Sequence, residues 1–278
     1  MNNWQVTING HPAPYTSKVW GGGEIHVAFT EKTFDVIAEG DRYLDTTLYA
    51  SITGNCKSSA DLMELFLLTD AIRRLQIKDV KLVCKYLPYA RQDRVCAAGE
   101  SLSLKVFCDL INAQKYTEVQ IWDCHSDVGT ALLDNCLNIT QDMLVFNTLR
   151  VGYQRLSPVL VAPDAGAMKK VQAVAKKLQT DFVRADKTRA ADGSITGTVV
   201  YSEHIGKRNF LICDDIVDGG RTFIELAKAL RPLTDGEIWL YCTHGIFSYG
   251  LDVFDGLIDK VFIANPLKDI SSKSNFYP

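Results

Sequence analysis

The feature that most constrains the fold is a unit that recurs along the chain: an apolar strand, a polar or glycine-bearing loop, then a helix. "DVKLVCKYLPYARQDR", "EVQIWDCHSDVGTALL", "PVLVAPDAGAMKKVQAVAKKL", "LICDDIVDGGRTFIELAKAL" and "EIWLYCTHGIFSYGL" each carry it, and "SSADLMELFLLTDAIRRLQI" reads as a long amphipathic helix ahead of the first. Strands alternating with helices predict parallel α/β sheets. In open sheets of that kind ligands sit beyond the carboxyl ends of the strands, where all five unusual loops are expected. A length of 278 residues suits about two domains. With a break around "NTLRVGYQRLSP", the expected division is an N-terminal α/β domain over residues 1–147 and a C-terminal one over 148–278.

Composition narrows the class. The chain is 47% hydrophobic and 23% charged, with a formal net charge of -3. That is ordinary globular composition, with no broad basic surface for nucleic acid or anionic membrane. The opening "MNNWQVTINGHPAPY" has no basic segment followed by an apolar core, and no apolar run is long enough to span a bilayer. A cytoplasmic protein is expected. The eight cysteines include no C-x-x-C pair. Several lie in apolar strand-like runs, so reduced, buried packing cysteines are expected.

The loops carry the chemistry. In "LICDDIVDGGRT", Leu211 to Cys213 read as a buried strand and Phe223 to Leu230 as an amphipathic helix. Asp214, Asp215 and Asp218 are placed in the intervening loop with Gly219, Gly220, Arg221 and Thr222. Backbone amides at 219–221 suit an anion at a helix start, and glycine permits the close approach. Thr222 adds a hydroxyl and Arg221 a charged fork. The carboxylates suit sugar hydroxyls or a divalent cation beside that anion. The bland alternative is an acidic strand–helix turn in solvent. "APDAGAMKK" repeats the logic with Asp164, Gly166, Lys169 and Lys170, against the alternative of a plain Asp cap. His125 also follows a strand. Arg91 and Arg94 flank Gln92 and Asp93, as a phosphate clamp or a surface ion-pair cluster. Lys187 and Arg189 fall in "RADKTRAADGS", which reads as a mobile glycine-bounded loop. Walker A, G-x-G-x-x-G, H-E-x-x-H and G-x-S-x-G patterns are absent from the sequence.

Taken in order, "YLPYARQDR", "DCHS", "APDAG", "ADKTR" and "CDDIVDGGRT" resemble the successive motifs of ribose-phosphate diphosphokinases, the phosphoribosyl-pyrophosphate synthetases, over roughly residues 20 to 268. The resemblance implies two similar phosphoribosyltransferase-type α/β domains, assembled as homodimers or hexamers. It implies transfer of a diphosphoryl group from Mg-ATP to the anomeric hydroxyl of ribose 5-phosphate, with AMP released. By the same resemblance Arg91, Gln92 and Arg94 hold ATP, and His125 and Asp164 hold Mg²⁺. Lys187 and Arg189 belong to a catalytic loop, with His125 beside the transferred group. Asp214 and Asp215 bind the ribose hydroxyls, with Asp164 close by, and Asp218 to Thr222 cradle the 5-phosphate.

Three departures stand out. The family's phosphate loop usually reads Asp-Thr-(Ala or Gly)-Gly-Thr, whereas here it is Asp218-Gly219-Gly220-Arg221-Thr222. A smaller, Arg-bearing cradle suits a substituted phosphate, such as the diphosphate bridge of ADP-ribose, as the alternative acceptor. The adenine-holding Phe-x-Asp-Gly-Glu segment corresponds to Trp20-Gly21-Gly22-Gly23-Glu24, which keeps the aromatic and the Glu but not the Asp. The chain also stops soon after "ANPLKDISSKSNFYP", so nucleotide feedback is not carried over. Competing readings are a phosphoribosyltransferase and an inactive regulatory subunit.

Overall fold

The computed structural model describes residues 3–41, 48–150, 156–189, 195–268 and 276–277. The chain forms two compact units, Met1–Ile139 and Thr140–Pro278. In the first, the order is β1 (Trp4–Ile8), β2 (His11–Pro12), β3 (Tyr15–Val19), β4 (Ile25–Phe29), α1 (Glu31–Asp41), β5 (Tyr49–Gly54), α2 (Ser59–Arg74), β6 (Asp79–Cys84), α3 (Ser103–Asn112), β7 (Glu118–Trp122), α4 (Asp127–Leu132) and β8 (Cys136–Ile139). The second continues with α5 (Gln141–Leu149), β9 (Val159–Ala162), α6 (Met168–Leu178), β10 (Phe182–Arg189), β11 (Ile195–Val200), β12 (Phe210–Val217), α7 (Arg221–Leu230), β13 (Ile238–Gly245), β14 (Lys260–Pro266) and β15 (Phe276–Tyr277).

The first unit's sheet has the order β2-β1-β5-β6-β7-β8, and β3 and β4 form a hairpin of their own. From β5 to β8 the pairing is parallel, while β1 runs antiparallel to β5. β6 buries Val80, Leu82 and Cys84 in alternation, and β7 buries Val119 and Ile121. That period of two follows from side chains alternating across a strand. α2 starts cleanly because Ser58 Oγ accepts from Asp61 N at 3.2 Å, while Asp61 Oδ2 accepts from Lys57 N at 2.8 Å. This is a Ser-x-x-Asp variant of the capping box. Arg73 and Arg74 close the helix where its dipole is negative.

The second unit's sheet has the order β11-β10-β9-β12-β13-β14-β15, parallel from β10 to β15 with β11 antiparallel at one edge. Every residue of β9 and of β13 is buried. Both faces are therefore covered, which is why these strands read as uninterrupted apolar runs. α7 buries Phe223, Leu226, Ala227 and Leu230, the face expected from its spacing. α5, at the expected junction, packs with the second unit: Lys177 Nζ on α6 lies 3.2 Å from Asp142 Oδ2 and 5.8 Å from the Phe146 ring centroid.

Two local expectations are corrected. β12 runs to Val217, so Asp214 and Asp215 are strand residues rather than loop residues. The ladder to β13 continues through them, pairing Asp214 with Cys242 and Ile216 with His244, and outweighs the poor strand propensity of aspartate. The "ADKTR" segment is likewise a strand, not a mobile loop. β10 carries Lys187 and Arg189 opposite Thr198 and Ile195 of β11, with a register shift between Thr188 and Arg189. The side chains of Lys187 and Arg189, and residues 190–194, lie outside the described residues.

Candidate sugar-phosphate and nucleotide site

In the first unit, the carboxyl ends of the parallel strands gather three loops. Lys85 N donates to Gly54 O at 3.2 Å, Trp122 N donates to Lys85 O at 3.0 Å, and Tyr86 N donates to Asn55 Oδ1 at 3.2 Å. These bonds stitch the starts of the post-β5 and post-β6 loops to the end of β7. The "YARQDR" segment is then built as a turn. Tyr89 takes a left-handed backbone, Gln92 N donates to Tyr89 O at 2.8 Å, and Leu104 N donates to Gln92 O at 3.3 Å.

Ala90 and Asp93 point inward, leaving Arg91, Gln92 and Arg94 exposed. Asp93 is the hinge of this arrangement. It is 8% exposed, and Arg94 Nε donates to its Oδ1 at 3.0 Å. Ser126 Oγ is buried beside the carboxylate without a hydrogen bond of standard geometry. That hydroxyl first, then Arg94, with His125 adding a smaller pull, hold the Asp93 carboxyl below the usual carboxylate range against the opposing effect of burial. Asp93 thereby links "YARQDR" to "DCHS", joining two motifs that sequence reading treated separately. His125 itself is exposed on the post-β7 loop, ahead of α4.

Trp20 and Glu24 stand at the exposed tip of the β3–β4 hairpin. Trp20 N donates to Glu24 O at 2.9 Å and Gly23 N to Trp20 O at 2.8 Å, which closes the turn. Lys18 Nζ lies 4.1 Å from the Trp20 ring centroid, and His26 meets the ring edge-on. Lys18 thus covers one face of the Trp20 ring as a cation–π pair.

The second unit concentrates acids at its strand ends. Asp164 follows β9, and its Oδ1 accepts from Gly166 N at 3.0 Å and Ala167 N at 3.2 Å. α6 begins at Met168, which puts Lys170 in its first turn. Lys170 Nζ then donates to Asp215 Oδ2 at 3.0 Å, a pair with side chains 26% and 9% exposed. Asp215 N donates to Asp214 Oδ1 at 2.9 Å. Burial first, then the charge of Asp215 and, less, that of Asp164, push the Asp214 carboxyl well above the usual carboxylate range. The same acids, after burial, raise the thiol of Cys242 on the neighbouring strand. Three carboxylates with Lys170 alongside are held close at one strand end. Such clustering of like charge disfavours full ionisation of the three.

Beyond the acids, Val217 leads into Asp218 and Gly219, and Gly220 is the N-cap of α7 with φ of 80°. Arg221 is the exposed first residue of that helix, and Thr222 the second. The two glycines serve different ends. A Cβ on Gly220 would lie 2.9 Å from Cζ of the buried Phe254, in a backbone region that L-residues rarely adopt. A Cβ on Gly219 would meet Tyr249 Cε2 at 3.2 Å. The post-β13 loop carrying Tyr249 is latched here: Ile246 N donates to Val217 O at 2.8 Å, and Ser248 Oγ donates to Asp218 Oδ1.

The structure therefore brings Arg91, Gln92, Arg94 and His125 to the strand ends of the first unit, with Trp20 and Glu24 on that unit's hairpin. It brings Asp164, Asp214, Asp215 and the 218–222 segment to those of the second. Asp93, Lys170, Ser248 and Tyr249 complete the picture. Sequence reading placed Asp93 and Lys170 inside its motifs without their bracing roles and did not single out Ser248 or Tyr249; the contacts of Lys170 and Ser248 span 45 and 30 positions.

Residues 21–114 match the family model described as the N-terminal domain of ribose phosphate pyrophosphokinase, and residues 140–244 match the phosphoribosyl transferase domain. A ribose-phosphate pyrophosphokinase from Gloeobacter violaceus is 31% identical over 260 residues, covering 92% of this chain and 75% of that protein. One from Mycoplasma pneumoniae is 29% identical over 261 residues, covering 91% and 76%. Among solved structures, phosphoribosylpyrophosphate synthetase from Mycobacterium smegmatis shares the fold with a TM-score of 0.75 at 20% identity, covering 95% of this chain and 85% of that one.

Proposed function

The chain belongs to the ribose-phosphate pyrophosphokinase family of transferase enzymes, and from that premise we propose that it moves the β,γ-diphosphoryl group of Mg-ATP to the anomeric 1-hydroxyl of ribose 5-phosphate, releasing AMP. The observation that carries the proposal is the run from Asp214 to Thr222. Paired carboxylates at the end of β12 lead, within a few residues, into the glycine-capped start of α7. Ribose hydroxyls donate to Asp214 and Asp215. The 5-phosphate accepts from amides at the helix start, from Thr222 and from Arg221, with Asp218 bracing the loop.

Arg91, Gln92 and Arg94 hold the ATP phosphates, and Trp20 and Glu24 meet its adenine across a subunit interface. Assembly as dimers or hexamers belongs to the same proposal, and analytical ultracentrifugation tests it. Mg²⁺, which supplies charge neutralisation on the triphosphate when bound, would find a candidate ligand in His125 of the first unit and another in Asp164 of the second. Among the described residues no group of three or more His, Cys, Asp or Glu side chains is placed to hold a metal. A magnesium ion carried by substrate phosphates with one or two protein ligands needs no such cage. Lys187 and Arg189 of β10 cover the transferred group. Phosphoryl transfer of this kind is driven by positioning and by fixed charge facing the transition state, so no general base is assigned.

The test is incubation with Mg-ATP and ribose 5-phosphate and no nucleobase. AMP and a 1-diphosphorylated sugar are expected in equal amounts, and Lys187→Ala is expected to slow turnover by ~100-fold or more. A requirement for a nucleobase would overturn the reading in favour of a phosphoribosyltransferase.

A second acceptor is favoured by one observation. At Gly219, where the family usually has threonine, the side-chain space is bounded by the Tyr249 ring, and Arg221 adds a cation at the helix start. A cradle of this shape suits a phosphate that is itself substituted, as in ADP-ribose. Parallel incubation with ADP-ribose, with products identified by mass, separates the two acceptors.

A further inference from the structure

We propose that Tyr249 is the specificity-determining residue for the acceptor. Its exposed ring stacks on the nucleobase of a ribose whose 5-phosphate is esterified to a second nucleotide. The inference rests on the diphosphokinase reading above and extends it to the acceptor's distal half.

Tyr249 is 77% exposed, the most exposed of the large apolar side chains described. An exposed tyrosine is ordinary on a flexible loop, but this loop is pinned. Val217 O accepts from Ile246 N at 2.8 Å and from Phe247 N at 3.3 Å, and Gly250 N donates to Phe247 O at 3.0 Å. Lys268 Nζ donates to Phe247 O at 3.2 Å, and Ser248 Oγ donates to Asp218 Oδ1 in the phosphate loop. Phe247 is buried and meets Phe254 edge-on, with centroids 6.3 Å apart. Phe254 in turn lies under Gly220. The backbone beneath the ring is thus held by the same residues that shape the Asp218–Thr222 loop, so a stacking ligand has only the Tyr249 side chain left to order.

Its placement also discriminates. One edge of the ring flanks the side-chain position of Gly219, with Cε2 and Cδ2 at 3.2 and 3.4 Å from where a Cβ would stand. Most of the rest of the side chain faces water. A terminal monophosphate has no atoms to lay against it. A phosphate extended through a diphosphate bridge to a nucleoside does, and Arg221 is placed to bear the second phosphate. Base-on-aromatic stacking is sequence-tolerant and strong enough to set a preference on its own.

The experiment is calorimetric binding of ADP-ribose and of ribose 5-phosphate to the wild type, Tyr249→Ala and Tyr249→Phe. The ring is too exposed for its removal to unfold the chain. Tyr249→Ala is expected to raise the Kd for ADP-ribose about 10-fold or more, and Tyr249→Phe to change it by about two-fold or less. The Kd for ribose 5-phosphate is expected to stay within about two-fold in all three. Gly219→Thr, which pushes the ring aside, is expected to raise the ratio of the two Kd values.

Equal weakening of both ligands, no change for ADP-ribose, or no binding of ADP-ribose by the wild type would each overturn the inference. If ribose 5-phosphate is turned over while ADP-ribose fails to bind, the diphosphokinase reading stands and this one falls. If neither acceptor is turned over yet ADP-ribose binding still depends on the ring, the reaction assignment falls and the subsite stands.

Discussion

The adjacent glycines ahead of α7 differ in why they are glycine, and substituting each by alanine separates the reasons. At Gly220 the backbone is left-handed, with φ of 80°, a region that costs a non-glycine residue about 1–2 kcal/mol. The new methyl also falls 2.9 Å from Cζ of Phe254, which is 1% exposed and has nowhere to go. Overpacking of that kind costs about 1–3 kcal/mol. Gly220→Ala is therefore expected to destabilise the second unit by about 2–5 kcal/mol.

Gly219 has no left-handed backbone, and the methyl would meet only an exposed ring that swings aside. Gly219→Ala is expected within about 1 kcal/mol of wild type, and on the stabilising side if the loss of unfolded-state freedom dominates. The assay is urea unfolding followed by tryptophan fluorescence, reading the transition that involves the buried Trp239 of β13, with the slope checked for constancy. Equal effects at the two positions, or a Gly220→Ala cost under about 0.5 kcal/mol, would refute the account of this turn.

Four further outcomes are expected. Lys170→Met removes the ammonium paired with Asp215 beside two other acids and is expected to cost about 2 kcal/mol at neutral pH by chemical denaturation; no cost would show the pair to be incidental. Asp93 has a folded pKa held down, so its stabilising contribution is present above the unfolded value, ~3.9, and is lost as pH falls through the folded value. Asp93→Asn should accordingly lose about 1–2 kcal/mol at neutral pH, and the difference from wild type should vanish in acid; a pH-independent difference contradicts this. Asp214 is the reverse case: its raised pKa means stability is lost as pH climbs from ~3.9 through the folded value. Asp214→Asn should therefore gain stability of ~1 kcal/mol that grows with pH while acceptor turnover collapses, and a loss of stability at alkaline pH would refute the sign. Finally, Cys96 is the one exposed cysteine, whereas burial lifts Cys84 and Cys108 to about 12 and Cys56 and Cys136 to about 11. Cys96 should react promptly with a thiol reagent, the half-buried Cys136 slowly, and the six buried thiols only on unfolding; prompt reaction of the buried six would contradict their assignment.

Much of the fold was legible because parallel strands covered on both faces must be continuous apolar runs. Leu211 to Cys213 and Ile238 to Cys242 therefore announced themselves, as did the Phe223/Leu226/Ala227/Leu230 stripe of α7. Local signals failed where a neighbouring strand supplied what the segment lacked. Asp214 and Asp215 look like loop residues until Cys242 and His244 are set beside their strand, and the polar "ADKTR" run looks solvated until β11 pairs with it. The site's motifs were visible as strand-end loops, yet the side chains that brace them were not. Lys170 reaches Asp215 across 45 positions and Ser248 reaches Asp218 across 30. No spacing rule carries contacts of that length, and Tyr249 acquires meaning only once the chain folds its loop against Gly219.

In the proposed reaction both distal phosphorus atoms of ATP travel together to a sugar oxygen. This is tested most directly with ATP radiolabelled at the α, β or γ phosphorus in turn, incubated with magnesium, the protein and ribose 5-phosphate or ADP-ribose. The β and γ labels are expected together in the sugar product, with the α label in AMP. Transfer of the γ label alone, with the β label left in ADP, would contradict the account, as would release of both labels as free pyrophosphate with no labelled sugar.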